Sequence, residues 1–279
     1  MLPSFLLSLR EGLEIALIIG IVLGALRKVH RSDLKRVVWS GVLSATVISA
    51  ITAFILHSMG AAFEGPAEQI FEGFTMLLAA GVLTWMIFWM SRQSRHIKSD
   101  LEAGVRRAIL KTGKRALFLL ALVAVLREGI ELSLFITAAA MAAGTQQTLW
   151  GTLIGLSASI VIGWLLFATT VRLNLSQFFR VTGVLLILFA AGLVAHGVHE
   201  FNEVGWIPSI IEHVWNTNFI LDENSVTGQM LQALFGYNGN PSLTEVLAYA
   251  GYFIAILLGL RWYTGLSPVV REPQQISSQ

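Results

Sequence analysis

Apolar residues in this chain are gathered into seven blocks of roughly 20, each long enough to cross a bilayer core as an α-helix. Hydrophobic residues make up 55% of the 279 residues and charged residues only 13%, whereas a soluble domain usually carries about 25% charged residues. The sequence therefore predicts an all-α integral membrane protein with seven transmembrane helices. The predicted spans lie at about 3–26, 37–60, 70–91, 115–142, 149–171, 178–199 and 243–264.

The connectors between these blocks alternate between basic and acidic. All but two of the 19 Lys and Arg residues fall in the first, third and fifth connectors and in the C-terminal tail at 265–279 or just before it. The third connector, at about 91–115, is the most basic, whereas the sixth, at about 200–242, contains no Lys or Arg. Because positive loops stay in the cytoplasm, the N-terminus is predicted outside and the C-terminus inside. The basic residues thus indicate orientation in the membrane, and we expect no nucleic-acid partner.

The long acidic connector before the last span contains its own structural signals. The stretch "SVTGQMLQALFG" predicts a short amphipathic helix that ends at Gly236, and "SIIEHVW" predicts a second one. The stretch "SLTE", from Ser242 to Glu245, predicts a capping box at the start of the seventh span. The chain has no cysteine, which excludes disulfides and thiolate metal sites.

Two nearly identical hexapeptides indicate an internal repeat. "LREGLE" begins at Leu9 in the first span, and "LREGIE" begins at Leu126 in the fourth. A weaker match joins "LLAAGVL" in the third span to "LFAAGLV" in the sixth. The repeats therefore cover about 1–92 and about 115–200, with three spans each. Because each unit has three spans, an odd number, the second unit runs through the membrane in the opposite direction to the first. Such inverted repeats are frequent in secondary transporters. The seventh helix, at about 243–264, follows this inverted 3+3 repeat as one extra C-terminal helix.

The repeated motif places an arginine and two glutamates inside each apolar run. Residues three or four apart lie on one face of a helix, so Glu11, Glu14 and Arg10 can interact. If the inverted halves meet at mid-membrane, four carboxylates face only two guanidinium groups, and a cation would balance the excess charge. Carboxylate ligands favour hard cations such as iron, manganese or magnesium. The predicted metal ligands are Glu11, Glu14, Glu128 and Glu131, with Arg10 and Arg127 as charge partners.

A purely structural salt bridge is the alternative explanation for each motif. Charged groups inside membrane spans are usually functional, and a structural bridge needs only one carboxylate for each arginine. The second glutamate of each motif therefore favours a cation site.

Four further residues are candidates for ion capture at the outer mouth. Glu72 lies near the outer end of the third span, where it could bind an ion or simply face water. His196, His199 and Glu200 share one face at the outer end of the sixth span, a spacing that suits metal capture. Histidines at a helix end are as often plain interfacial residues, so both interpretations stay open.

These motifs together resemble the oxidase-dependent iron permease family, which includes bacterial EfeU-type transporters and fungal high-affinity permeases. The resemblance rests on the paired R-E-G-x-E motifs and is supported by "FEGF", "LTWMIFWM", "RLNL", "FAAGL" and "FGYNGNPSLTEV". It implies iron import across the cytoplasmic (inner) membrane, with the motif glutamates as iron ligands and no permanently bound cofactor. It also implies a separate extracytoplasmic iron-delivery or oxidase protein as partner. No family motif covers the His196, His199 and Glu200 group.

Two other functions are compatible with buried carboxylates. A membrane enzyme with a di-iron centre would pair Glu-x-x-His motifs with further glutamates, but neither R-E-G-x-E helix has a histidine at that spacing. A proton-conducting or purely structural protein would use the carboxylates without a metal. The sequence leaves open the oxidation state of the iron, discrimination against manganese, the driving force and whether the protein is a homo-oligomer.

Overall fold

A computed structural model describes residues 1–93, 97–108, 113–168, 175–223 and 225–265 of the chain. These residues form α-helices joined by turns and irregular segments, with no β-strand among them. The predicted tail at 265–279 lies outside the described residues beyond Gly265. The helices are α1 (Leu2–Lys28), α2 (Lys35–Ala62), α3 (Pro66–Gln93), α4 (Ile97–Arg107), α5 (Lys114–Ala143), α6 (Thr145–Ala168), α7 (Leu175–Glu203), α8 (Val226–Phe235) and α9 (Leu243–Gly265).

Five helical segments are long and apolar enough to cross a membrane, which confirms a helical membrane protein. The two long helices outside this group, α1 and α5, contain the repeated motif, whose charged residues reduce their apolar character. They are as long as the other five, at 27 and 30 residues. The count of seven spans remains a prediction. The five segments are Ser32–Gly60, Pro66–Trp89, Thr145–Phe167, Gln177–Glu203 and Leu243–Arg261.

The long helices pack in a reciprocal pattern. Helix α1 makes its most extensive contact with α6, α2 makes its own with α5, and α3 packs along α7. The two motif helices α1 and α5 also touch each other. Exchanging the first three long helices for the next three reproduces the same set of contacts. Each half therefore supplies the main packing partners of the other half.

Two apolar clusters surround the place where α1 and α5 meet. One joins α3, α5 and α7 through residues such as Leu83, Phe135 and Phe189. The other joins α1, α2, α4 and α5 through residues such as Leu26 and Leu117. Burial of these side chains holds the motif helices between the clusters.

The basic connector at 91–115 contains a helix. Helix α4 is short and amphipathic, and it packs against α1 and α5. Lys28 Nζ, at the end of α1, lies 2.8 Å from Glu102 Oε1 on α4. The described part of this connector therefore packs over one end of α1.

The acidic connector contains one of its two predicted helices. Helix α8 begins after Ser225, whose Oγ accepts a hydrogen bond from Gly228 N at 3.0 Å, and it ends at Gly236 with φ of 68°. The predicted helix at 209–215 is wrong. Its backbone instead pairs with the chain leading into α9, because Val214 N donates to Pro241 O and Leu243 N donates to Ile211 O, both at 3.0 Å.

The capping box at the start of α9 is confirmed. Ser242 N donates to Glu245 Oε1 at 3.1 Å, and Glu245 N donates to Ser242 Oγ at 3.3 Å. This exchange satisfies two backbone donors that the first helical turn leaves without an intrahelical partner. Glu245 is 4% exposed and also contacts His199 of α7. The cap therefore links the start of α9 to α7.

Replacing Gly236 with alanine is expected to destabilise the protein more than replacing Gly205. Both glycines have positive φ, at 68° and 72°, so alanine costs about 1–2 kcal/mol at either position. A Cβ on Gly236 also meets the backbone of Gly192 on α7, whereas a Cβ on Gly205 meets no atom within 4 Å. This overpacking adds about 1–3 kcal/mol. Thermal unfolding in detergent measures the difference, and equal shifts in the two variants would contradict it.

Candidate metal site

The repeated motifs meet where α1 crosses α5. Glu11 is 0% exposed, Glu128 is 2% exposed and Glu131 is 8% exposed. One carboxylate oxygen from each of the three lies within 4.8 Å of the other two. Within the described ranges this is the one group of three or more acidic or histidine side chains with such a spacing. Glu14, 6% exposed on the same helix as Glu11, lies outside this group of three.

Arg10 pairs with both glutamates of its own motif. Its Nη1 lies 3.3 Å from Glu11 Oε1, and its Nη2 lies 3.3 Å from Glu14 Oε1. The guanidinium is almost completely buried, and its Nη1 also donates to Met86 Sδ on α3 at 3.0 Å. Arg10 therefore supplies a fixed positive charge beside the carboxylates.

Arg127 pairs with the second motif in a more open environment. Its Nη2 lies 2.8 Å from Glu128 Oε1, and its Nε lies 3.6 Å from Glu131 Oε1. The guanidinium carbon lies 4.3 Å from the centre of the Trp89 ring on α3. The side chain of Arg127 is 38% exposed, whereas that of Arg10 is buried. One helix, α3, thus contacts the arginines of both motifs.

Each carboxylate of the three-residue group retains an oxygen without a hydrogen-bond donor. These buried atoms are Glu11 Oε2, Glu128 Oε2 and Glu131 Oε2. An unsatisfied oxygen of an ionised buried carboxylate is costly, because the protein replaces none of the lost hydration. A hard cation bonded to these oxygens would remove that cost. The donor set is compatible with iron, manganese or magnesium.

The motif glycines allow the neighbouring helices to approach the site. A Cβ on Gly12 would lie 2.7 Å from Ser159 Cβ on α6, and a Cβ on Gly129 would lie 2.7 Å from Ser49 Cβ on α2. Both values are shorter than any normal carbon contact. In both halves, therefore, the motif glycine packs closely against a serine of the neighbouring helix.

The histidines predicted at the outer mouth already contact polar partners. His196 Nδ1 lies 3.1 Å from Gly192 O, and its Nε2 lies 3.0 Å from Gln232 Nε2 on α8. His199 lies between two carboxylates, with Nδ1 3.0 Å from Glu245 Oε1 and Nε2 3.3 Å from Glu203 Oε1. These contacts link α7 to α8 and α9.

The acidic residues predicted at the outer mouth lie on two neighbouring helices. Glu72 lies on α3 and Glu200 on α7, two helices that pack along each other. Glu203 and Glu245 also belong to this region but were not predicted as site residues. The spacing of Glu203, four residues after His199, was a signal that could have found it. Glu245 was predicted only as a cap residue, and its contact with His199 depends on how α7 and α9 pack.

The fold and the buried carboxylates define the class of this protein, a helical membrane protein with ionisable residues in its interior. Within that class, the chain belongs to the iron permease FTR1 family, which matches it over residues 1–270. It is similar to the ferrous iron permease EfeU of Escherichia coli O6:K15:H31 (strain 536 / UPEC), with 34% identity over 265 residues. That alignment covers 92% of this chain and 94% of the relative.

A second relative supports the same assignment. The ferrous iron permease EfeU of Yersinia pestis is 31% identical over 260 residues, and the alignment covers 92% of both chains. No solved structure matches the chain. Both relatives are named as permeases, so the prediction of a transporter rather than an enzyme is confirmed. The family also confirms the sequence resemblance, which rested on the paired motifs.

Proposed function

We propose that this protein is an iron import permease of the cytoplasmic membrane, carrying Fe²⁺ or Fe³⁺ through a site formed by the two R-E-G-x-E motifs. The observation that carries the proposal is the group of three buried carboxylates, drawn from two helices, each with an oxygen that lacks a donor. The relatives that are named ferrous iron permeases support iron as the substrate.

The motif residues have distinct roles in this proposal. Glu11, Glu128 and Glu131 bind the ion directly through their unpartnered oxygens. Glu14 is the fourth ligand, and it takes part when Arg10 shifts from its carboxylate. Arg10 and Arg127 offset part of the negative charge while no ion is bound, since a group of buried carboxylates without countercharge would be strongly destabilising.

The proposed membrane arrangement has seven spans, with α1 and α5 added to the five apolar segments. The N-terminus lies outside and the C-terminus in the cytoplasm, as the distribution of Lys and Arg indicates. The reciprocal contacts of α1 with α6 and of α2 with α5 support an inverted 3+3 repeat followed by one further helix, α9. In such transporters the substrate site lies near the midplane, where the repeats meet.

The outer mouth collects the ion before it reaches the central site. We assign Glu72, His196, His199 and Glu200 as capture ligands there, with Glu203 as an additional carboxylate. The acidic outer connector attracts cations towards this region. A separate extracytoplasmic protein delivers or oxidises the iron, and the permease itself keeps no permanently bound cofactor.

Transport follows from exchange of ligands along this route. A hydrated ion reaches the outer carboxylates, then replaces its waters with the oxygens of Glu11, Glu128 and Glu131. Binding neutralises charges that are otherwise costly inside the protein, which offsets the lost hydration of the ion. The ion leaves towards the cytoplasm when the packing of the two halves changes or when protons replace it on the carboxylates.

Iron uptake by the purified protein in proteoliposomes tests this function. Fe²⁺ with ascorbate and Fe³⁺-citrate are supplied in parallel, with an excess of Mn²⁺ as competitor in a third series. We expect saturable uptake of iron that protein-free liposomes lack, and the preferred salt identifies the oxidation state. Uptake equal to that of empty liposomes with both salts would contradict the proposal.

A further inference from the structure

The buried methionine Met86 contacts the central site from a third helix. It lies on α3, is 1% exposed, and accepts a hydrogen bond from Arg10 Nη1 through its sulfur at 3.0 Å. Its neighbours in the core are otherwise apolar. A thioether sulfur is a weak acceptor, and a leucine of similar volume would fill the same space. The sulfur therefore supplies a hydrogen-bond acceptor that packing alone does not require.

The two ion pairs that Arg10 forms with Glu11 and Glu14 are longer than usual. Its ion pairs with Glu11 and Glu14 are each 3.3 Å, whereas hydrogen bonds between a guanidinium and a carboxylate are usually about 2.7–2.9 Å. The guanidinium is thus shared between α3 and its own helix. Both of these ion pairs are longer than the usual hydrogen bond.

The second motif provides the comparison within the same molecule. Arg127 also contacts α3, but its partner there is the face of the Trp89 ring, which attracts the cation without accepting its in-plane N–H groups. Arg127 forms a bond of normal length, 2.8 Å, to Glu128. Its second ion pair, to Glu131, is longer at 3.6 Å. Arg127 thus has one ion pair of normal length, whereas Arg10, which donates an N–H to α3, lies 3.3 Å from each of its two glutamates.

We propose that Met86 is a positioning residue for iron transport, whose sulfur holds Arg10 partly away from Glu11 and Glu14. This inference rests on the proposed function. A guanidinium and an iron ion compete for the same carboxylates, so the closer Arg10 lies to them, the weaker the binding of the ion. Without the sulfur, Arg10 moves closer to Glu11, towards the 2.8 Å that separates Arg127 from Glu128, and the affinity of the site for iron falls.

The test compares iron uptake by proteoliposomes that contain the wild type, Met86→Leu, Met86→Gln or the control Met76→Leu. Met76 lies on the same helix and is equally buried at 1%. Loss of one hydrogen bond predicts that Met86→Leu raises KM for iron about fivefold while kcat stays within about twofold of the wild type. Glutamine restores an acceptor, so Met86→Gln is expected to return KM towards the wild-type value. Met76→Leu should leave both constants unchanged.

The outcomes separate this inference from the proposed function. If the wild type transports iron and Met86→Leu has the wild-type KM, the positioning role is overturned and the function stands. Equal KM values in Met86→Leu and Met86→Gln, both raised, would show that shape rather than an acceptor matters, which also overturns it. Absence of iron uptake by the wild type overturns the proposed function and the positioning role together. Elution of each variant by size-exclusion chromatography confirms that it is folded.

Discussion

Replacing Glu128 with glutamine is expected to reduce iron uptake at least about 100-fold, by analogy with the 10–100-fold losses that follow changes around metal ligands. Glutamine has the same shape as glutamate but no charge, so the packing around α5 is preserved. Glu128 combines 2% exposure, a 2.8 Å ion pair to Arg127 and an oxygen that lacks a donor. The variant leaves Arg127 without its closest countercharge and removes one of the four proposed iron ligands. Initial uptake rates in proteoliposomes measure the effect.

The controls for this experiment are other glutamate-to-glutamine variants. Glu11→Gln and Glu131→Gln should match Glu128→Gln, because all three belong to the same group of carboxylates. Glu14→Gln should lose less activity, since Glu14 lies outside that group. Glu102→Gln, which affects an ion pair with Lys28 near the end of α1, should transport as the wild type does. Normal uptake by Glu128→Gln would show that the motif is a structural lock, and the site assignment would be wrong.

Replacing Gly12 with alanine is expected to prevent correct packing of α1 against α6 and so to abolish uptake. The new Cβ would lie 2.7 Å from Ser159 Cβ and even closer to its hydroxyl oxygen. Forced overpacking of a close helix contact usually costs about 1–3 kcal/mol and shifts the backbone. Here the shift displaces the neighbouring Glu11 from the other carboxylates. Thermal unfolding in detergent and iron uptake measure the two consequences.

A second substitution makes this prediction specific. Ser159→Gly removes the two atoms that lie within 3 Å of the new Cβ, so Gly12→Ala combined with Ser159→Gly should regain stability and a large part of the uptake. The same experiment is available in the other half, where Gly129→Ala is relieved by Ser49→Gly. Exchanging the partners, as in Gly12→Ala with Ser49→Gly, should rescue nothing. Equal behaviour of matched and mismatched pairs would contradict the packing argument.

The long helices were predictable because each has a strong local signal. The apolar blocks predicted the bounds of the long helices to within a few residues, and helix α9 begins at Leu243 as predicted. The capping box at Ser242 and the end of α8 at Gly236 depend on side chain-to-backbone bonds and on positive φ, both of which have residue preferences that the sequence displays. That carboxylates of both motifs lie close together could likewise be predicted, since a repeated charge in an apolar run needs a partner.

The remaining features depend on contacts between distant parts of the chain. Residues 209–215 have a helical pattern, but their backbone donors and acceptors pair with residues near Pro241, which no local pattern shows. The acceptor role of Met86 and the ring contact of Trp89 require α3 to pass beside both motifs. Nothing in the sequence separates Met86 from Met76. Tertiary packing, rather than propensity, determines which side chain of an apolar helix meets a buried charge.

The packing of α1 against α6 has a consequence for how the protein is made. Helix α1 leaves the ribosome first, yet its main partner begins at Thr145, roughly 120 residues later, or on the order of ten seconds at ~5–20 residues per second. During that interval the first motif lacks α6, against which α1 mainly packs, and for most of it also lacks α5. The newly made helix must therefore be retained by the insertion machinery, or in a water-accessible position, until α5 and α6 arrive. We therefore expect the first motif to reach its final packing only after α5 and α6 have been made.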